Sequence, residues 1–176
     1  MSLASLNFFE IFSLPASFRV DVSSLEAQYR KLQAKYHPDR FLGAADSERV
    51  QALQLASLIN DAYETLKSPL KRAAYLLNLN GVDPEEHNQG HLEGSFLNRQ
   101  MEMREDLENL ASEENLVGLD KLKVDTEREK DSVLDQFEYS FNAGELSNSK
   151  SLYNQLQFLF KLLEEINRVE EKLLDY

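Results

Sequence analysis

With 176 residues, 31 Asp+Glu against 19 Lys+Arg, three His and no Cys, the chain is long enough for one ordinary domain or two small ones and can bury about two thirds of its surface. A formal charge of −12 argues against bulk binding to phosphate backbones or anionic membranes, which need a surplus of Lys and Arg. The absence of cysteine removes disulfides, thiol catalysis, cysteine-held iron–sulfur clusters and Cys-type zinc sites. No run approaches the ~20 apolar residues of a membrane span. Met1 to Phe12 has no basic residue and carries Glu10 inside its apolar stretch, unlike a signal or transit peptide, so a soluble cytoplasmic protein is expected.

The four prolines, Pro15, Pro38, Pro69 and Pro84, fall at the edges of predicted elements, and the intervals between them are rich in Leu, Glu, Lys, Gln and Ala. That pattern predicts an all-α chain. Charge divides it. Residues 1–80 hold nine Lys/Arg and eight Asp/Glu, whereas residues 81–176 hold ten and twenty-three, so the halves carry +1 and −13. Between them Asn80-Gly81-Val82-Asp83-Pro84 is turn sequence, followed to Gly94 by little that is apolar. A linker over residues 80–94 is predicted, between domains at 1–79 and 95–176.

In chain order, a short helix is expected over residues 7–12. A long one should start at Ser23, where Ser23 and Glu26 form a capping box, and stop before Pro38. On it Leu25, Tyr29, Leu32 and Tyr36 make a core-facing stripe. A second long helix is predicted over residues 46–67, capped by Asp46, with Val50, Leu53, Ala56, Ile59, Tyr63 and Leu66 taken to share its buried face. The two pack most economically as an antiparallel hairpin. A further short helix over residues 69–78 braces it together with the first.

Arg30, Lys31 and Lys35 lie away from the core stripe of the first long helix, and no acid occurs from Ala27 to Tyr36. A solvated helix face is the ordinary reading of such a patch. It is followed at once by His37-Pro38-Asp39. Proline ends the helix and fixes the turn, presenting a histidine that charges near neutral pH and a carboxylate suited to a partner's arginine. The bland alternative is that His37 caps the outgoing helix and Asp39 makes an Asx turn. Catalysis by His37 and Asp39 has no nucleophile elbow, Gly-rich phosphate loop or metal cluster to complete it.

The run from Tyr29-Arg30-Lys31 through Lys35-Tyr36-His37-Pro38-Asp39-Arg40-Phe41, with Ile59-Asn60-Asp61-Ala62-Tyr63-Glu64-Thr65-Leu66, resembles the J-domain of Hsp70 co-chaperones. The resemblance implies that Arg30, Lys31, Lys35, His37, Pro38 and Asp39 bind an Hsp70 chaperone and stimulate its ATPase, with no catalysis in this chain.

The second half predicts three helices over residues 95–110, 113–142 and 149–174, the middle one closed by Gly144, forming an antiparallel bundle. Phe96, Met103, Leu107 and Leu110 share one face with Gln100 among them. Leu152, Leu156, Leu159, Leu163 and Ile166 share another; the middle helix offers Leu116, Leu119, Leu122, Val133, Phe137 and Phe141. Leu97 and Met101 fall about 100–140° off the core stripe, in line with Glu105 and beside Glu108, with Glu102 flanking them. Phe158 falls about 100° off its own stripe, which marks it as a second exposed apolar position. Isolated exposed apolar residues are common; two adjacent patches would make an interface.

A J-domain followed directly by an acidic three-helix bundle with Phe96-Leu97 and Met101-Glu102-Met103-Arg104-Glu105, ending Glu170-Glu171-Lys172-Leu173-Leu174-Asp175-Tyr176, resembles the HscB co-chaperones of bacterial iron–sulfur cluster biogenesis. Arg72-Ala73-Ala74-Tyr75-Leu76-Leu77 belongs to the same likeness. It implies an adaptor that brings an IscU-type iron–sulfur scaffold protein to an HscA-type Hsp70, the scaffold contacting Leu97, Met101, Glu102, Glu105 and Phe158. Asn98 and Asn109 depart from the residues common in the family. The absence of a cysteine-paired N-terminal extension favours a bacterial source. Alternatives are a J-protein whose bundle recruits another client, an enzyme using His37 and Asp39, or a metal protein using His87 and His91, whose i,i+4 spacing lies in a Gly-containing linker. No cofactor and no metal are expected.

Overall fold

The computed structural model describes residues 3–85 and 94–174. Every regular element among the described residues is helical. The chain divides into two compact units, Met1–Asn80 and Gly81–Tyr176.

In the first unit α1, Phe8–Ile11, is held by a reciprocal box in which Asn7 and Glu10 accept each other's backbone N–H. Helix α2, Val22–Tyr36, does not begin at Ser23 as the box Ser23/Glu26 predicts. Asp21 is the cap: its carboxylate accepts from the Ser23 N–H at 3.0 Å and from the Ser24 hydroxyl at 2.6 Å. An aspartate two residues upstream outcompetes the serine because a charged acceptor makes the stronger cap bond. Those bonds, the Ser24 hydroxyl first, hold the Asp21 carboxyl below the usual range.

Helix α3 spans Asp46–Lys67 as expected, but its cap is Ala45, which offers no side-chain bond; Asp46 instead pairs with Arg49 at 3.2 Å. Helix α4, Pro69–Leu79, starts on Ser68 with Pro69 in its first turn, where the missing N–H costs nothing. Helices α2 and α3 form the hairpin, locked by the stack of Tyr29 on Tyr63, 3.9 Å between centroids at 12°. Helix α1 docks through Phe8 stacked on Tyr75 at 4.4 Å, whose hydroxyl accepts the Phe8 N–H. Phe9, Leu25, Ile59, Leu66, Leu76 and Leu77 fill the core.

The buried face of α3 differs from the predicted one. Ala52, Ile59, Ala62, Tyr63 and Leu66 are buried, while Val50 and Leu53 are exposed. The predicted stripe stepped by threes, and each such step lags a full turn by about 60°, so Val50 and Ile59 stand about 180° apart.

In the second unit α5 spans Gly94–Ser112, α6 Leu116–Asn142 and α7 Leu146–Leu174. Helix α6 begins after residue 113 because Glu114 takes a left-handed φ of 51° and Asn115 caps the helix, accepting the Gly118 N–H at 2.9 Å. Leu116, expected in the core, is exposed in consequence. Gly118 lies against the Leu110 side chain, so that α5 and α6 close here only because no Cβ intervenes. Gly144, at φ 77°, closes α6. Helix α7 then starts ahead of residue 149, and Ser149 is buried in its first turns, bonded to Ser140 at 3.1 Å and to the Glu145 carbonyl at 3.0 Å. Helices α6 and α7 form a long antiparallel pair, clasped at its other end by Lys123 and Glu170 at 2.7 Å. Leu119, Val133, Phe137, Leu152, Leu156 and Ile166 fill its core.

Gly81–Glu85 groups with the second unit, although the sequence predicts a linker there. Pro84 is buried, and the Tyr153 hydroxyl donates to Glu85. His87 and His91 lie outside the described residues.

Candidate functional site

The first candidate surface is built where α2 ends. Pro38 forces His37 out of the helix, to φ −59° and ψ 129°, and residues Pro38–Phe41 form a single 3-10 turn. His37 Nδ1 accepts the Asp39 N–H at 3.3 Å, so His37 caps the following turn rather than the outgoing helix. In the neutral ring Nε2 then carries the proton. The outgoing helix is capped instead by Arg40, which donates to the Ala34 carbonyl at 2.8 Å. The Asp39 carboxylate stands 3.6 Å from His37 Nδ1, an ion pair when the ring is protonated. Both side chains are exposed, and the turn is fixed from both ends, so it costs little entropy to present them.

Arg30, Lys31 and Lys35 are exposed on α2. Arg30 is paired loosely with Glu26 at 3.6 Å, and Lys35 lies over the Tyr36 ring at 5.1 Å. Beside the turn the hairpin leaves a cleft of about 350 Å³ between α2 and α3, bounded by Tyr36, His37, Pro38, Leu53 and Asn60. Asn60 holds the cleft's other wall, accepting from Tyr29 at 3.0 Å and Gln33 at 3.2 Å. Sequence reasoning missed this clasp and the exposure of Leu53; plotting α3 by angle rather than by triplets would have revealed the latter.

The second surface lies on α5. Leu97 and Met101, 43% and 71% exposed, stand one turn apart with exposed Glu102, Glu105 and Glu108 around them. Arg99 engages Glu102 at 3.8 Å and Glu129 of α6 at 3.6 Å. Phe158 does not belong to an exposed patch. It is only 8% exposed, with the Phe96 ring edge-on at 6.0 Å and the Arg104 guanidinium 5.8 Å from its centroid. The off-stripe angle misled because α7 is covered by both α5 and α6, and a helix with two neighbours buries a wider arc than one stripe. Phe158 therefore lies under α5, bracing the helix that carries Leu97 and Met101.

Neither surface is a catalytic pocket, and among the described residues no three His, Cys, Asp or Glu side chains gather as metal ligands. The family model for the DnaJ domain matches residues 7–75, and that for the HSCB C-terminal oligomerisation domain matches residues 92–167. The chain is 39% identical over 173 residues to the co-chaperone protein HscB homolog of Paraburkholderia phytofirmans, covering 97% of this chain and 99% of that one. The chain belongs to the HscB family of co-chaperones. The HscB chaperone of Vibrio cholerae superposes with a TM-score of 0.86 at 37% identity over 96% of this chain and 99% of that one. The human co-chaperone protein HscB gives 0.86 at 27%, over 93% and 81%. As an HscB-family member the chain is a non-enzymatic co-chaperone with a J-domain. No described helix is long and apolar enough to cross a membrane.

Proposed function

We propose that this chain is an adaptor of the bacterial cytoplasm that stimulates the ATPase of an HscA-type Hsp70 and delivers to it an IscU-type iron–sulfur scaffold protein. What carries the reading is the presence, in one HscB-family chain, of an exposed His37-Pro38-Asp39 turn at the end of a basic helix and an acid-ringed apolar strip on a separate unit. Arg30, Lys31 and Lys35 attract an acidic surface of the chaperone, and the pre-set turn offers Asp39 to a basic side chain and His37 as a donor. On α5, Leu97 and Met101 supply the apolar contact with the scaffold, Glu102 and Glu105 meet its basic residues, and Phe158 supports them from beneath. Without cysteine this chain holds no cluster on its own thiolates; the cluster remains the scaffold's cargo.

The test is steady-state phosphate release by the chaperone. His37→Gln should abolish stimulation while calorimetric binding of the scaffold persists, and unchanged stimulation would overturn the assignment. A chain that retains chaperone stimulation but fails to bind the scaffold would instead be a J-protein for another client.

A further inference from the structure

His37 and Asp39 converge on one nitrogen. His37 Nδ1 accepts the Asp39 N–H at 3.3 Å, and the Asp39 carboxylate stands 3.6 Å from the same atom. An Nδ1 that accepts an N–H carries a lone pair, whereas an Nδ1 that donates to a carboxylate carries a proton. The two contacts exclude each other, and the charge of the ring selects between them. While the ring is neutral, the carboxylate has no other partner among the described residues.

We propose that His37 is a proton switch on this turn: the neutral ring leaves the Asp39 carboxylate open to a basic side chain of the chaperone, and the protonated ring takes it up. The proposal rests on the reading of the turn as the chaperone-binding surface. Histidine is the side chain that changes charge near neutral pH. When Nδ1 gains a proton the Asp39 N–H loses its acceptor, and a small rotation of two exposed side chains closes the 3.6 Å gap to a charge-assisted hydrogen bond. A basic group of the chaperone must then displace an imidazolium already in place. Nε2–H is offered in both states, so protonation adds no outward donor. The extra positive charge attracts an acidic chaperone surface only at range, and physiological salt screens that attraction.

The surroundings leave the choice to these two residues. On α2, Lys35 lies over the Tyr36 ring at 5.1 Å. In the turn, Arg40 is engaged with the Ala34 carbonyl at 2.8 Å. Helix α3 faces His37 across the cleft with Leu53, Ala56, Ser57, Ile59 and Asn60, none of which titrates. Its nearest acid in sequence to that wall, Glu48, lines a separate cleft with Tyr36 and Phe41. The backbone of the turn survives the exchange, because the Arg40 N–H bonds the His37 carbonyl at 3.0 Å without involving the ring. Protonation therefore alters what the turn presents and not whether it forms. Both side chains are exposed, so the competition is that of a surface ion pair, about two- to fivefold in affinity. The response is graded.

Nitrogen-15 and proton NMR of the full chain, stepped from about pH 8 to about pH 5.5 across the histidine range, tests the exchange. The neutral ring should carry its proton on Nε2, and the Asp39 amide should shift and exchange faster with water in step with the charging of the ring. A neutral ring protonated on Nδ1, or an Asp39 amide indifferent to the ring, overturns the proposal. Phosphate release by an HscA-type chaperone, titrated with the chain at about 0.15 M salt and divided by the chaperone's own rate at each pH, gives the functional readout. The half-saturating concentration should rise about two- to fivefold from the upper to the lower pH, with the maximum unchanged. Stimulation whose half-saturation ignores pH overturns the proposal alone. No stimulation at any pH overturns the chaperone reading and the proposal with it.

Discussion

At the scale of single residues, the difference between a side chain that binds and one that supports is set by what lies over it. Leu97 and Met101 are open to solvent, whereas Phe158 is enclosed by Phe96 and Arg104. Leu97→Ala with Met101→Ala should therefore weaken scaffold binding while stability changes by no more than about 0.5 kcal/mol per site, as for surface positions. Phe158→Ala should cost about 3–5 kcal/mol in urea unfolding, the range for a large aromatic removed from a core; a smaller loss would show that Phe158 is not structurally embedded. Gly118→Ala places a methyl against Leu110 where α5 and α6 approach, and about 1–3 kcal/mol of destabilisation is expected from overpacking. Tyr153 gives a pH signature. Burial, then the charge of Glu85, pushes its hydroxyl up to about 12. The folded state thus holds this proton more tightly than the unfolded chain does. The associated stability is complete below the ordinary value near 10 and is lost as pH rises toward about 12. Tyr153→Phe should show a shallower alkaline loss than the parent in urea unfolding at stepped pH, and parallel curves would disprove the assignment.

At the scale of elements, local chemistry decided where helices begin and end, though not always with the expected residue. Pro38, Pro69 and Gly144 stop or start helices where the sequence predicts, because their backbone restrictions hold in any environment. Cap identity was less legible: Ser23 and Asp21 both qualify, and only the folded geometry shows Asp21 bonded to Ser23 and Ser24. Asp21→Ala should lower the melting temperature of the J-domain and Ser23→Ala should leave it nearly unchanged. The Asp21 contribution, from a carboxyl held below its ordinary value, should be present above pH 4 to 5 and fade as pH falls through the depressed value. Thermal scans of the two variants at neutral and acidic pH check both statements. The turn after α2 adds a device that spacing alone did not reveal: Arg40 closes the Ala34 carbonyl while His37 caps the turn in the other direction.

At the scale of the whole molecule, two units of opposite electrical character are joined in one chain, +1 on one side of Asn80 and −13 on the other. Raising the ionic strength should slow association with both proposed partners while changing dissociation much less, as expected where charge steers encounter; stopped-flow traces at low and high salt would show it. The sequence by itself determined the helical class, the division of charge, most helix limits and the exposed His37-Pro38-Asp39 turn, because proline, glycine and apolar period act through the local backbone. It also placed Leu97 and Met101 outside the α5 core stripe, on which Met103 and Leu107 are the buried side chains one turn apart. The open positions of α3 were readable from helical angle, since Val50 and Ile59 stand about 180° apart, whereas the burial of Phe158 on α7 was decided by tertiary structure alone. Phe158 is enclosed because burial depends on how many neighbours cover a helix and from which directions, and a one-dimensional pattern records neither.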